Sequence, residues 1–446
     1  MKIIIAGAGE VGFHVAKMLA NEDHDIVLID REEERLTYVE SHLDVGTLKG
    51  NALSIKQLEY AGVAEADLLI AATSSEETNI TTAIIGKKLG AKRTIVRISN
   101  PEFEHNKAKL DLQDLGIDEM VFPEDLAAKE IRRLVKLSTA TDSFEFGDGK
   151  LYLTGFFVEA GAPLVNKSLF QAVQLIPDIQ FTVVAIQRGN KTIVPRGDTH
   201  FRVNDHVYFI SKPGCISEIT RLSGNSGFQI KHIMILGGSR IGRLVAHKMQ
   251  TNYKIKLIEK DRQKCFELAD ELVKTMVLHG DGSNVEVLKE EGLNDMDAFI
   301  AVTGDSEHNI IACLVAKNHG VKRTIALVEN INYISLSQNI GIDTLINKKM
   351  IAINNIFRFV RAGQVEALTS LHGVESEVLE FSVHRNCKIT SAPIKKLNFP
   401  RDAVIAGIIR GPESFTASGN SHIEEGDHVV VFTLPSAIRK VEKFFE

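Results

Sequence analysis

Short apolar runs alternate with helix-length stretches of mixed polarity from the first residues of the chain. Ile3–Ala6, Ile26–Ile29, Val45–Leu48, Leu68–Ala72 and Ile95–Ile98 are such runs. Strands covered on both faces read as continuous apolar segments, and helix-length spacers supply the crossovers between parallel neighbours. The pattern predicts an α/β unit with a doubly wound parallel sheet over residues 1–138.

The pattern then returns. Lys2–Gly12 (KIIIAGAGEVG) reappears as His232–Gly242 (HIMILGGSRIG), 230 positions later. At that offset residues 50–97 align with 280–327 without a gap, and sixteen of the 48 positions are identical. Gly50/Gly280, Asp67/Asp297, Thr73/Thr303 and Asn79/Asn309 are among them. Chance would give roughly three identities, so a whole domain is duplicated. A weaker repeat follows each copy: the segment from Gln187 to Phe209 matches that from Ile409 to Val431 at an offset of 222. Both read as short alternating strands joined by glycine turns, a small α+β unit. The expected order is N–C–N–C, with units at 1–138, 139–224, 229–366 and 367–446 and a linker at Leu222–Phe228.

Gly7-Ala8-Gly9-Glu10-Val11-Gly12 has the GxGxxG pattern, which alone is weak evidence. Here it lies between an apolar strand and a helical stretch, Phe13–Asn21, and Asp30 ends the next strand 18 residues after the last glycine. That context predicts a dinucleotide-binding turn. Gly7 allows the tight turn, Gly9 lets the backbone approach a pyrophosphate, and Gly12 lets helix and strand pack closely. Amides at the helix start then face the phosphates, and Asp30 accepts ribose hydroxyls while repelling a 2′-phosphate. Arg31 next door weakens that discrimination. The plain alternative is a set of glycines serving the turn only.

The second copy is degenerate. In Gly237-Gly238-Ser239-Arg240-Ile241-Gly242 a serine stands where Gly9 stood, Glu259 closes the next strand, and Leu327 replaces Arg97. The first site is expected to hold nucleotide more tightly. Strand carboxyl ends line the crevice of such a fold. That adds Asn51, Ala52, Thr73, Ser74 and Arg97 to the first site, and Asp281, Thr303 and Glu329 to the second. Thr73 and Thr303 could equally be helix N-caps.

Composition narrows the function classes. The chain has 446 residues, 44% hydrophobic and 25% charged, and a formal net charge of −6, which gives no global attraction to nucleic acid or anionic lipid. No apolar run approaches the roughly 18 to 20 residues of a membrane-spanning helix. A strand beginning at Lys2 leaves no room for a signal peptide, so a cytosolic location is expected. Cys215, Cys265, Cys313 and Cys387 are widely spaced and read as buried small residues, not zinc ligands or disulfides. A dehydrogenase would need a substrate domain and an acid/base pair. The one Tyr-x-x-x-Lys spacing, Tyr208 to Lys212, lies in a strand pattern, where four residues span roughly 13 Å. No GxxxxGK[ST] sequence follows either glycine turn, and the fifteen histidines form no HExxH cluster.

Two GxGxxG-type units, each followed by a small unit whose strand opens on Asp-His-Val (Asp205-His206-Val207 and Asp427-His428-Val429), resemble the TrkA family. Ile5–Gly12, Gly50-Asn51-Ala52, Ala72-Thr73-Ser74, Gly197–Phe209 and Gly419–Phe432 carry the resemblance, which covers essentially the whole chain. Asn51, where an acid is common, and Ser239 depart from the pattern. The resemblance implies tandem RCK domains, each divided into RCK-N and RCK-C, in a non-enzymatic cytosolic regulator. It further implies binding of NAD(H) and of ATP or ADP in the RCK-N crevices, by the two residue sets named above. Assembly as a homo-oligomeric ring, a tetramer of tandem chains, beneath a TrkH- or TrkG-like potassium-transporting membrane protein is also implied. Amphipathic segments Phe122–Leu137 and Met350–Gly363 resemble the crossover helices through which RCK domains pair, with intradomain core as the alternative. Two further readings stand beside this one: an NAD-dependent oxidoreductase, and a regulator sensing c-di-AMP between paired C units.

Overall fold

A computed structural model describes residues 1–20, 24–100, 102–105, 112–136, 142–189, 191–224, 228–330, 333, 341–361, 365–370 and 376–446. The expected boundary at 138/139, the middle of the linker, and the ends of Phe13–Asn21, Phe122–Leu137 and Met350–Gly363 lie outside the described residues. The chain forms two compact units, Met1–Ala128 with Asn347–Val360, and Lys129–Ile346 with Arg361–Glu446.

The first unit is built on β1 (Lys2–Ala6), α1 (Glu10–Ala20), β2 (Asp25–Asp30), α2 (Glu33–His42), β3 (Gly46–Lys49) and α3 (Ile55–Tyr60). It continues with β4 (Leu68–Ala71), α4 (Glu76–Leu89), β5 (Arg93–Arg97), α5 (Glu102–His105), β6 (Glu119–Val121) and α6 (Pro123–Lys136). The strands form one parallel sheet in the order β3-β2-β1-β4-β5-β6. Ile3, Ile4, Ile5, Leu68, Leu69 and Ile70 are fully buried, as a sheet covered on both faces requires. The order reverses between β1 and β4, and that reversal places a crevice at the carboxyl ends of those strands. The division between the two units falls within α6.

The second unit carries the remaining three parts. The first small sheet uses β7 (Asp142–Phe146), β8 (Leu151–Phe157), β9 (Phe181–Arg188), β10 (Lys191–Ile193) and β11 (His206–Ser211), with α7 (Leu169–Leu175) and α8 (Ile216–Leu222). The second parallel sheet uses β12 (His232–Leu236), β13 (Lys254–Glu259), β14 (Thr275–His279), β15 (Ala298–Ala301), β16 (Arg323–Leu327) and β17 (Thr344–Ile346). Its order, β14-β13-β12-β15-β16-β17, repeats that of the first. Its helices are α9 (Arg240–Met249), α10 (Arg262–Glu271), α11 (Val285–Glu290) and α12 (Ser306–Asn318). Then comes α13 (Lys348–Arg361), which belongs to the first unit up to Val360. The last sheet uses β18 (Val365–Ser370), β19 (Glu377–Ser382), β20 (Ala403–Arg410), β21 (Glu413–Thr416) and β22 (His428–Thr433), followed by α14 (Ile438–Glu442).

The two small sheets are antiparallel and share one strand order, β10-β9-β11-β8-β7 and β21-β20-β22-β19-β18. Even the bulge recurs, at Val183–Ala185 in β9 and at Ile405–Gly407 in β20. They meet through one apolar core that includes Phe146, Tyr208 and Ile210 from the first and Ile409, Val430 and Phe432 from the second. Glycines let them close. A Cβ on Gly407 would lie 2.5 Å from Leu151, and one on Gly147 would lie 2.5 Å from Ile409. Lys150 donates to the Gly411 carbonyl at 2.7 Å, and its own carbonyl accepts from Ser414 at 3.0 Å. In each sheet a buried aspartate receives a two-pronged arginine: Arg188 on Asp205, and Arg410 on Asp427. Tyr208 lies in β11, fully buried, so the Tyr208–Lys212 spacing is indeed a strand spacing. Cys265, Cys313 and Cys387 are buried, Cys215 is partly buried, and all four are free thiols.

Candidate nucleotide site

The glycine turn in the first unit has the geometry its spacing predicts. Gly7 adopts φ +107°, its amide donates to the Ile29 carbonyl at 2.8 Å, and a Cβ there would lie 3.0 Å from the Thr73 backbone. At Gly12 a Cβ would fall 1.8 Å from the Gly7 carbonyl oxygen, so helix and turn touch as only glycine allows. Gly9 differs: a Cβ there would meet nothing nearer than the Arg35 guanidinium at 3.7 Å. Packing does not demand glycine at position 9. A cradle that a side chain would fill is what close approach of a phosphate group requires, and this position fits one.

The helix starts at Glu10, three residues earlier than its apolar pattern suggested, so it springs straight from the turn. Val11 is buried in the core. Asp30 accepts from the Ala8 amide at 2.7 Å and from the Glu32 amide at 2.9 Å, with Arg35 3.9 Å away. A carboxylate has about four lone-pair sites, so acceptor capacity remains for a pair of hydroxyls. Arg31 donates to the Asn51 side-chain oxygen at 2.7 Å, which ties the ends of β2 and β3 together across the crevice edge. Ala52 is buried, and its carbonyl receives the Thr82 hydroxyl at 3.4 Å.

On the far side of the crevice, Asn79 organises the β4–α4 loop. Its side-chain oxygen accepts from the Thr73 amide at 2.8 Å and the Thr73 hydroxyl at 2.6 Å. Its nitrogen donates to the carbonyls of Thr73 at 3.2 Å and Arg97 at 3.0 Å. Asn79 is almost completely buried. Thr73 is therefore not the helix cap; Ser75 caps α4 through the Thr78 amide. Ser74 is exposed on the same loop, and Arg97 reaches the Thr73 carbonyl at 3.5 Å. Asn79 was visible in the sequence only as an identity between the repeats, not as a site residue.

The second copy reproduces this frame with a different turn. Gly237 has φ +105°, and a Cβ on Gly242 would lie 2.0 Å from the Gly237 carbonyl oxygen. The Gly238 amide donates to Glu259 at 2.7 Å, as Ala8 does to Asp30. Asn309 binds the Thr303 amide, hydroxyl and carbonyl and the Leu327 carbonyl, and Asp305 caps α12. Ser239, however, is spent on the protein itself. Its hydroxyl donates to the Val302 carbonyl at 2.6 Å and accepts from the Gly242 amide at 3.3 Å, capping α9. Arg240 is exposed at the helix start, and Ile241 is buried. Glu329 presents its amide to the Ser306 hydroxyl at 2.8 Å. Asp281 pairs with Lys260 at 3.3 Å, the counterpart of the Arg31–Asn51 bridge. The Ser283 hydroxyl and amide, with Lys260, hold the Asp281 carboxyl down to about 2. The two copies thus share a frame and differ where phosphates would lie.

Residues 3–123 and 233–348 match the TrkA-N domain family, and residues 153–224 and 378–446 match the TrkA-C domain family. The Trk system potassium uptake protein TrkA homolog of Archaeoglobus fulgidus is 33% identical over 447 residues, covering 100% of both chains. TrkA of Haemophilus influenzae is 33% identical over 453 residues, covering 100% of this chain and 99% of its own. Among solved structures, the GsuK RCK domain aligns with a TM-score of 0.60 at 15% identity, covering 100% of this chain and 94% of that one. A structure of the GsuK channel bound to NAD aligns with a TM-score of 0.60 at 15% identity, covering 100% of this chain and 78% of that one. At that identity the likeness is one of fold: paired parallel and antiparallel sheets of the RCK type. Both domain families recur in the order N–C–N–C along a chain matched end to end by its relatives, and the chain belongs to the TrkA family of Trk-system potassium uptake proteins.

Proposed function

We propose that this chain is the nucleotide-sensing regulatory subunit of a Trk-type potassium uptake system, not an enzyme. The observation that carries the reading is the first glycine turn. Its middle glycine faces open space where packing needs no glycine, beside a carboxylate already oriented by the Ala8 amide. Gly7, Ala8, Gly9, Glu10, Val11 and Gly12 offer backbone to the phosphates of NAD(H), ATP or ADP. Asp30 takes the ribose, Asn51 and Ala52 border the adenine side, and Thr73, Ser74 and Arg97 close the opposite wall. The corresponding residues of the second copy, Gly237 through Gly242 with Glu259, Asp281, Thr303 and Glu329, form a weaker site, because Ser239 uses the Gly242 amide, whereas Gly9 has no side chain to occupy the equivalent Gly12 amide.

In this reading RCK-N spans 1–138 and 229–366, and RCK-C spans 139–224 and 367–446. The chain assembles as a ring, a tetramer of tandem chains, on the cytoplasmic face of a TrkH- or TrkG-like membrane subunit. No helix among the described residues is long and apolar enough to cross a membrane, and in this reading the membrane subunit carries the transport path. Nucleotide gates transport by binding one ring shape better than another. Reconstitution with the membrane subunit in vesicles tests this: nucleotide changes potassium flux, and Asp30→Ala, losing about 1 to 3 kcal/mol of ribose recognition, shifts the response to higher concentration. A flux indifferent to every adenine nucleotide overturns the proposal.

A further inference from the structure

The helix α13 brings a lysine to the first glycine turn from 339 residues away in the sequence. Lys349, in the first turn of α13, is ion-paired with Glu10, the residue that opens α1. Its neighbour Lys348 faces Glu124 at 3.9 Å, and at the other end of α13 Arg93 donates to the Phe359 carbonyl at 3.0 Å. Ala352, Ile353, Ile356 and Phe357 are buried, so the helix is seated and Lys349 is held in place by more than its own charge.

The position of Glu10 is unusual for a phosphate site. The start of a helix carries partial positive charge and favours anions. Here the anion is the protein's own carboxylate, half exposed at the crevice mouth, with Lys349 as its counterion. A nucleotide phosphate arriving at Gly9 would meet the same helix start and the same lysine. Two anions close together in a partly desolvated site repel, and one cation serves the stronger.

We propose that Lys349 is a phosphate-binding residue of the first nucleotide site, exchanged between Glu10 and the ligand's phosphates. This rests on the nucleotide reading above and adds to it a residue and a consequence. Binding at the first turn then breaks the Glu10–Lys349 pair and rewires the start of α13, the helix that precedes β18 of the last small sheet in sequence. Phosphate number becomes a determinant of affinity, with ATP gaining more from Lys349 than AMP.

Calorimetric titration of the full chain and of single and double variants with ATP, ADP and AMP tests the proposal. Lys349→Gln weakens ATP binding by about tenfold and AMP binding much less, and Lys349→Arg retains ATP affinity. Glu10→Gln strengthens ATP binding several-fold, and Lys349→Gln costs more in the Glu10→Gln background than in the wild type. Lys17→Gln, a charge change on the same helix at an exposed position, leaves affinity unchanged. If Lys349→Gln and Glu10→Gln leave ATP affinity at the wild-type value while Gly9→Val abolishes it, the ion pair is structural and this inference fails alone. If the wild-type chain binds none of the three, the nucleotide reading fails with it.

Discussion

Gly9 and Gly12 are three residues apart and are glycine for opposite reasons. A side chain at Gly12 collides with the Gly7 carbonyl, whereas a side chain at Gly9 enters open crevice. Gly12→Val is therefore expected to destabilise the fold by several kcal/mol. Gly9→Val is expected to keep the thermal midpoint near that of the wild type while losing adenine nucleotide. Denaturant melts and titrations on the two variants separate these outcomes. Asn79 is the residue the frame depends on most. Asn79→Ala takes the partner from the Thr73 amide and the Arg97 carbonyl in a partly buried loop, for an expected loss of about 2 to 4 kcal/mol. Urea unfolding measures it, and a loss below about 1 kcal/mol would show that water replaces the side chain.

At the scale of elements, α1 and α9 begin at equivalent points of the repeat with different caps. Ser239 satisfies an amide of α9, and the first copy has no side chain at Gly9 to do the same. Ser239→Gly removes the cap for a few tenths of a kcal/mol and vacates the phosphate position. It is expected to raise nucleotide affinity at the second site, seen as added stoichiometry in titration. Much of this level was legible in advance. Strand runs such as Leu68–Ala72 fell within a residue or two of the strands, because continuous apolar runs have few other uses in a parallel sheet. The helix α1 began earlier than its apolar spacing implied, since Glu10 is exposed and contributes nothing to periodicity. Asn79 and Asp67 stood out only as identities between copies. Their chemistry, a side chain spanning loop and strand backbone at Asn79 and a carboxylate on the Lys2 amide at Asp67, depends on contacts distant in sequence. The pairing of Lys349 with Glu10 was not legible at all: amphipathic spacing shows that one face of α13 is apolar, not which sheet covers it.

For the molecule as a whole, duplication supplies the frame and divergence sets the division of labour. The small sheets interlock through Gly147 and Gly407 and carry matching buried arginine–aspartate pairs, so they behave as one body of the second unit. The parallel sheets keep the Asn79 and Asn309 clamps but differ at Gly9/Ser239 and Arg97/Leu327, where a phosphate would be felt. On the proposed function the two sites are expected to be unequal, and that inequality is measurable on the purified chain alone. The most direct measurement is calorimetric titration of the purified chain with NADH, NAD, ATP and ADP, followed by recovery of each ligand to check that it is chemically intact. The account predicts binding of intact adenine nucleotide with a stoichiometry between one and two per chain, the tighter event lost in Gly9→Val. Absence of binding by all four, or consumption of the ligand, would contradict it.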